Sequence, residues 1–387
     1  LRVASILTAE HISSAVVLPI PVMYVSAIGI LFPVWRSLSS FSGVELHLLL
    51  TGMHLSEGAS TEVDLPTSVK VHFGGADLGG DSGSAAAAAM ASIANATADL
   101  VTATKPNVML VVGDRLDMLP AAMASLPFYL PLVHLHGGEV TEGAVDNQIR
   151  HAISKLAHWH CVATNGAREF LLTIGENADR ITVTGAPGLD MLQAAPRTSK
   201  ADFLRSTGLP ERADFWLVTV HAETNSSNPL LPIQAVLEAL AARSAPVLFT
   251  APNSDPGGSN IRQQIEEFCK TRNDVVFIDT LGSDLYPNAL RHASLMLGNS
   301  SSGVIEAGLF GLPVINVGDR QLGRESDANV IDVPSEGSAI IATLDKLNSY
   351  PKRFNNQSLY GDGKSGPRVA QVLVELSGFP NILRKTA

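Results

Sequence analysis

The sequence predicts an α/β protein of two lobes, each a doubly wound parallel sheet covered by helices. Three observations carry this reading. Short β-branched and aliphatic runs alternate with helix-period segments along the chain, as successive βαβ units require. Such alternation places the strands in a parallel sheet covered on both faces. The chain has 387 residues, more than the roughly 100–200 of one ordinary domain. Composition agrees: 45% of residues are apolar and only 17% charged, which excludes intrinsic disorder.

The first element lies in an uncharged run from Ile12 to Trp35. It is long enough to cross a bilayer, but Pro19, Pro21 and Pro33 would leave backbone groups unsatisfied in lipid. Glu10 and the lack of a clear cleavage site argue against a signal peptide. The run reads as a buried strand followed by a helix over Ile30–Ser40, so a cytoplasmic protein with no membrane partner is expected. Strand candidates then follow at Val44–Leu50, Ser68–Phe73, Val108–Val112, Leu132–Leu135 and Trp159–Thr164. Helices are expected over Ser84–Thr104, where Ala85–Ala89 supplies the best helix formers, and over Asp146–Ala157 and Gly166–Ile174. A second strand group runs from about Ile181 to Val317: Ile181–Thr184, Phe215–Val220, Val247–Thr250, Val275–Ile278, Leu295–Leu297 and Val314–Val317. Its helices are Pro229–Ala242, Asn260–Lys270, Tyr286–Ala293, Gly303–Phe310 and Glu336–Leu347. Gly185–Lys200, with Pro187 and Pro196, reads as the connection between lobes. An amphipathic stretch, Arg368–Leu376, has no strand after it. Two such lobes place a ligand in a cleft at the carboxyl ends of strands.

The net charge of −10 argues against a nucleic-acid partner, because phosphate neutralisation needs a basic surface. Cys161 and Cys269 are too few for a disulfide scaffold or a thiolate zinc site.

Gly298–Gly303 (GNSSSG) follows an apolar run and opens a helix. Free N–H groups, the positive end of a helix dipole and hydroxyls then point at one place, which suits a phosphate. Asn299, Ser301, Ser302 and Gly303 are the candidates, with Glu306 one turn on for ribose hydroxyls; the plainer reading makes Ser302 an N-cap. His134-Leu135-His136-Gly137-Gly138-Glu139 ends a strand, on which His134 and His136 would share a side. Asp146 and Arg150 follow at i,i+4 on a helix and read either as a catalytic pair or as a surface ion pair. No metal-ligand spacing such as HExxH is present, so no metal is expected. Asp114 ends the strand Val108–Val112 and reads as an acid/base, a sugar contact or a turn former. His221 ends Phe215–Val220 in the same way. Arg320 and Arg324 lie in the loop after the last strand and could clamp a diphosphate, or be solvated.

The segments HLHGGEVTEGAVDNQIRHAISKLAH, VTGAPGLD, VTVHAETN, PNSDPGGSNI, LGNSSSGVIEA and VINVGDRQLGRESDANVI closely resemble the hydrolysing UDP-N-acetylglucosamine 2-epimerases of bacterial sialic- and legionaminic-acid pathways. The likeness runs from about Ile30 to about Leu376, with the motifs in the same order. It implies a GT-B-like fold of two Rossmann-like domains with the active site in the cleft: residues 1–185 joined by a C-terminal helix at about 366–387, and a UDP-binding domain over 186–365. It implies the conversion of UDP-N-acetylglucosamine, or a 4-acetamido-dideoxy relative, and water to N-acetylmannosamine, or the matching sugar, and UDP. The route is elimination to a glycal, then water addition, with no cofactor. A homodimer or higher homo-oligomer is implied as well.

By this resemblance Asp114 is a candidate acid/base, and His136 stands where related epimerases carry a catalytic Glu. Asp146 and Arg150 lie near the sugar and phosphate. His221 contacts the diphosphate or aids departure of UDP. Asn299, Ser301, Ser302 and Gly303 hold phosphate, Glu306 the ribose, and Arg320 the diphosphate. One segment departs from the family: Val25-Ser26-Ala27-Ile28-Gly29 stands where an Arg-Ala-Asp/Glu-Tyr-Gly segment is usual. The alternatives are a UDP-sugar-binding pseudoenzyme, and a non-hydrolysing epimerase or GT-B glycosyltransferase.

Overall fold

A computed structural model of the chain describes residues 21–22, 25–51, 69–74, 83–140, 145–211, 214–223, 226, 228–253, 257–347, 351–355, 358–376 and 382–385. They form two compact units. The first comprises the described residues up to Glu139, Val145–Met191 and those from Gly363 on; the second comprises Val140 and the described residues of Leu192–Asp362.

The first unit contains β1 (Pro21–Val22), α1 (Val25–Leu38), β2 (Leu46–Leu50), β3 (Val69–Phe73), α2 (Gly83–Thr104), β4 (Met109–Val112), α3 (Met118–Ser125), β5 (Leu132–Leu135), α4 (Val145–Leu156), β6 (Trp159–Val162), α5 (Asn165–Thr173) and β7 (Ile181–Val183). Its strands are all parallel, in orders β1-β2-β3 and β4-β5-β6-β7. β2, β4 and β5 are wholly buried, which explains their mostly apolar sequence, with His47 and His134 the polar residues among them. β7 pairs with β6, so Ile181–Thr184 closes the first unit; grouping it with the second set of strands was incorrect.

A connecting helix, α6 (Gly188–Ala194), is followed by the second unit: α7 (Lys200–Thr207), β8 (Trp216–Thr219), α8 (Leu231–Ala241), β9 (Val247–Thr250), α9 (Gly258–Cys269), β10 (Val275–Ile278), α10 (Gly282–His292), β11 (Leu295–Gly298), α11 (Ser301–Ile305), β12 (Val314–Val317), β13 (Val330–Val333) and α12 (Gly337–Lys346). The parallel sheet has order β10-β9-β8-β11-β12-β13. Counted from β8 this is the doubly wound order 3-2-1-4-5-6, whose direction reverses between β8 and β11. The last helix, α13 (Ser365–Leu376), belongs to the first unit.

α13 is amphipathic because one face is core. Val369, Ala370, Leu373 and Leu376 pack with Leu31, Val34, Trp35 and Leu38 of α1 in one buried cluster. Gly366 makes the approach possible, since a Cβ there would lie 2.6 Å from the Pro33 carbonyl carbon. Asp190 of α6 accepts the Ser365 and Gly366 N–H groups at 2.9 and 2.7 Å, satisfying donors that a helix start leaves open. Leu192, two residues on, packs in the second unit, so the divide falls inside α6.

α1 shows what became of the uncharged run. Its Leu31, Val34, Trp35 and Leu38 are buried, and among the described residues no helix is long and apolar enough to cross a membrane. Residues 12–20 and 23–24 lie outside the described residues. Val25–Gly29 form the first turns of α1, where the resemblance had implied a strand-end segment.

The end of the chain is tied down by charge. Arg180 donates to the Ile382 carbonyl at 2.7 Å. The buried Glu176 forms ion pairs with Lys155 and Lys385, both at 2.7 Å, and meets His160 Nε2 at 3.1 Å. Burial pushes the Glu176 carboxyl up, but these three partners outweigh it and hold it at about 2. Cys161 is buried in β6, and Cys269 at the end of α9 is half-buried.

Candidate active site

In the second unit the predicted nucleotide residues gather at the point where strand order reverses. Gly298 ends β11 with φ +140°, and a Cβ there would lie 2.0 Å from the Thr219 carbonyl oxygen of β8. That close approach sets the next residue: the Asn299 N–H donates to the Thr219 carbonyl at 3.2 Å. The buried Asn299 side chain then bridges the strands, accepting the His221 N–H at 2.7 Å and donating to the His221 carbonyl at 2.9 Å. His221 Nδ1 accepts the Asn253 N–H at 3.0 Å. A ring nitrogen that accepts cannot carry the proton, so the neutral imidazole is protonated at Nε2 and is a donor there.

Ser301, Ser302 and Gly303 form the first turn of α11. The cap is Ser300, whose side chain accepts the Ser302 N–H, and not Ser302 as the plainer reading of the motif held. The expected helix Gly303–Phe310 is α11 followed by a 3-10 turn at Ala307–Phe310. Glu306 accepts the Tyr286 hydroxyl at 3.0 Å, and that hydroxyl also contacts Ser302. Burial pushes the Glu306 carboxyl up, against the lowering effect of the Ser302 and Tyr286 hydrogen bonds. Burial and then Glu306 push the Tyr286 phenol well above its ordinary value. Arg320 Nη1 lies 3.4 Å from the Asn299 carbonyl, to which Gln321 donates at 2.9 Å. The Asp319 and Arg320 N–H groups donate to Glu223 at 2.8 and 3.3 Å. Tyr286 carries no local sequence signal as a site residue, because its partners Ser302 and Glu306 come from another element. Glu223 and Gln321 stand beside His221 and Arg320 in sequence, where a side chain's loop-to-loop partner carries no local signal.

In the first unit, Asp114 follows β4 and pairs with the buried Arg150 of α4. Arg150 Nη1 donates to the Glu139 carbonyl at 2.7 Å, and the Glu139 carboxylate meets His136 Nδ1 at 2.8 Å. One chain of contacts thus joins Asp114, Arg150, Glu139 and His136. Asp146 lies in the first turn of α4, and its side chain is outside the described residues. The expectation that His134 and His136 share a side does not hold. β5 stops at Leu135, and His136 turns away at φ +62°.

His134 is wholly buried, with Nε2 2.8 Å from the Gly113 carbonyl and Nδ1 3.0 Å from Ser154 Oγ. Burial pulls its pKa down to about 3, so it is a neutral brace behind the Asp114 turn. Asp117 was missed. It is wholly buried at the start of α3, with Arg115 Nε 3.5 Å away, and burial raises its pKa to about 6. In GDRLD it reads as part of a solvated turn.

Parallel, doubly wound units with a Gly/Ser loop and a strand-end His at the strand reversal make this a protein of the GT-B-like α/β class. The family model of UDP-N-acetylglucosamine 2-epimerase matches residues 36–374. The chain belongs to the UDP-N-acetylglucosamine 2-epimerase family. It is 35% identical over 92% of its length to UDP-N,N'-diacetylbacillosamine 2-epimerase (hydrolyzing) of Legionella pneumophila, of which it covers 95%. It is 28% identical over 89% of its length to UDP-N-acetylglucosamine 2-epimerase of Neisseria meningitidis serogroup B, covering 91% of that chain. Among solved structures, UDP-GlcNAc 2-epimerase from Neisseria meningitidis bound to UDP-GlcNAc shares the fold at a TM-score of 0.76 and 19% identity, over 93% of this chain and all of that one.

Proposed function

We propose that the chain is a hydrolysing UDP-sugar 2-epimerase, acting on UDP-N,N'-diacetylbacillosamine in preference to UDP-N-acetylglucosamine. The contact chain Asp114–Arg150–Glu139–His136 carries the chemical part of this reading, because proton transfer at C2 needs a carboxylate and an imidazole held in place. The higher identity to the diacetylbacillosamine enzyme carries the choice of sugar.

In this reading a base among these groups removes the C2 proton. The C1–O bond to UDP breaks with its electron pair leaving on the diphosphate, and a C1=C2 double bond forms. Water then adds its oxygen at C1, and a proton returns to C2 on the other face. The sum is UDP-sugar and water giving the free 2-epimer and UDP. Ser301, Ser302, Gly303 and Arg320 stabilise the diphosphate, with the His221 Nε2 proton as a further donor. Glu306 takes the ribose, and Arg150 and Asp146 position the sugar. A cytoplasmic homodimer or higher homo-oligomer belongs to the same reading.

Incubation of the purified chain with each UDP-sugar in D2O, followed by NMR, tests it. The expected products are UDP and a free 2-epimer deuterated at C2, formed faster from the diacetylated substrate. A nucleotide-linked epimer would make the enzyme non-hydrolysing. UDP binding without turnover would favour a pseudoenzyme, a reading supported by Val25–Gly29 standing in place of the family's Arg-containing segment.

A further inference from the structure

The second unit holds a cavity of about 500 Å³ whose lining includes Arg197, Arg291, His292, Arg353, Phe310 and Asp362. None of these belongs to the site described above. The volume falls within the roughly 300–1,000 Å³ of small-molecule sites. Three guanidiniums and an imidazole share this lining with the carboxylate of Asp362, in a chain whose net charge is −10.

Two of the arginines have a structural task. Arg353 donates to the carbonyls of Leu290, Arg291, Ala293 and Phe310, closing the open carbonyls at the end of α10. Arg291 donates to the carbonyls of Leu192 and Ala195 at 2.9 and 3.3 Å and lies over the Phe310 ring. Carbonyls take up N–H groups but leave the full positive charge uncompensated, and among the described residues neither arginine has an ion pair. Burial lowers the Arg291 pKa, and the charge of Arg197 lowers it further.

Arg197 has no such task. Its side chain is exposed, and it makes no hydrogen bond or ion pair among the described residues. Carbonyl capping therefore accounts for Arg291 and Arg353 but not for Arg197, which leaves three guanidiniums facing the single carboxylate of Asp362 in this lining and favours a further anion there. His292 is held in the same wall by its Nε2–Thr198 carbonyl contact at 2.9 Å. A planar guanidinium fork suits phosphate oxygens, and the Leu309–Phe310 wall offers an apolar surface beside it.

We propose that this cavity binds a small phosphate-bearing anion, a sugar phosphate or free phosphate, with Arg197 as its main ligand. The proposal does not depend on the substrate of the epimerase site.

Calorimetric titration of the full chain with glucose 6-phosphate, inorganic phosphate and, as neutral control, glucose tests it. Wild type is expected to bind at least one phosphate and not glucose; tighter binding of the ester than of phosphate identifies the sugar frame as part of the ligand. Arg197→Glu, at an exposed position that folding does not need, should weaken binding at least tenfold with Tm unchanged. Arg320→Ala, in the nucleotide loop, should leave it within twofold. The proposal is overturned if neither phosphate binds, if Arg197→Glu binds as wild type does, or if Arg320→Ala is the variant that loses binding.

Discussion

His221 and Asp114 owe their chemistry to neighbours that hold them rather than to their own surroundings in solution. The Asn253 N–H directs the His221 proton to Nε2, and Arg150 holds the Asp114 carboxylate. His221→Ala and Asp114→Asn should each lower kcat by about 10²–10⁴-fold, the usual worth of an acid/base group, while Tm moves little. Parallel losses of Tm and kcat would assign them structural roles. Gly137 is a second residue-scale test. A Cβ there would lie 2.7 Å from His134 Nδ1 and 3.0 Å from Ser154 Oγ, so Gly137→Ala should cost about 1–3 kcal/mol through overpacking, read by urea unfolding. These residues were legible because each sits in a short motif at a strand end. Tyr286 and Asp117 were not: the first acts across 16 and 20 residues of sequence, and the second is polar in sequence but buried by its helix.

At the scale of elements, strands announced themselves where both faces are buried. β4, β5, β9, β11 and β12 are fully buried and mostly apolar, broken only by His134 in β5, Thr250 in β9 and Asn316 in β12. β13, with Asp332 in its middle, is an edge strand and partly exposed, so its pattern carried no such signal. Helix starts were blurred by proline. α1 and α10 contain Pro33 and Pro287, and both begin earlier than periodicity suggested. The resemblance implied that the last helix joins the first domain but not that α1 is its partner, since sequence periodicity shows an apolar face and not what covers it. Leu373→Ala in its centre should cost about 2–5 kcal/mol, measured by chemical denaturation. The knot at Glu176 predicts an acid limb to stability. The folded carboxyl sits at about 2, below its usual 4.5. Its contribution is therefore complete above pH 4.5 and lost as pH falls toward 2. Glu176→Gln should lower stability at neutral pH and flatten the stability profile between those values, in urea titrations at several pH values.

For the whole molecule, two-unit organisation followed from length and strand grouping, but the place of the divide did not. Gly185–Lys200 looked like a linker because of its prolines. Within it, Asp190 serves the first unit and Leu192 the second, a split made by tertiary contacts. The sheet order of the second unit likewise depends on which strands neighbour one another, which strand-and-helix alternation leaves open.

The two cysteines turn this architecture into a reporter. Cys161 is sealed in β6 of the first unit, where burial pushes its thiol up to about 12. Cys269 ends α9 of the second unit, half-buried, its thiol raised by burial and by Glu266. A maleimide dye should therefore modify Cys269 first, and Cys161 only when the first unit opens. Timed mass spectrometry of labelled peptides would give the opening rate of the first unit without any introduced probe. Cys161 modified as fast as Cys269 under native conditions would contradict the sealed core.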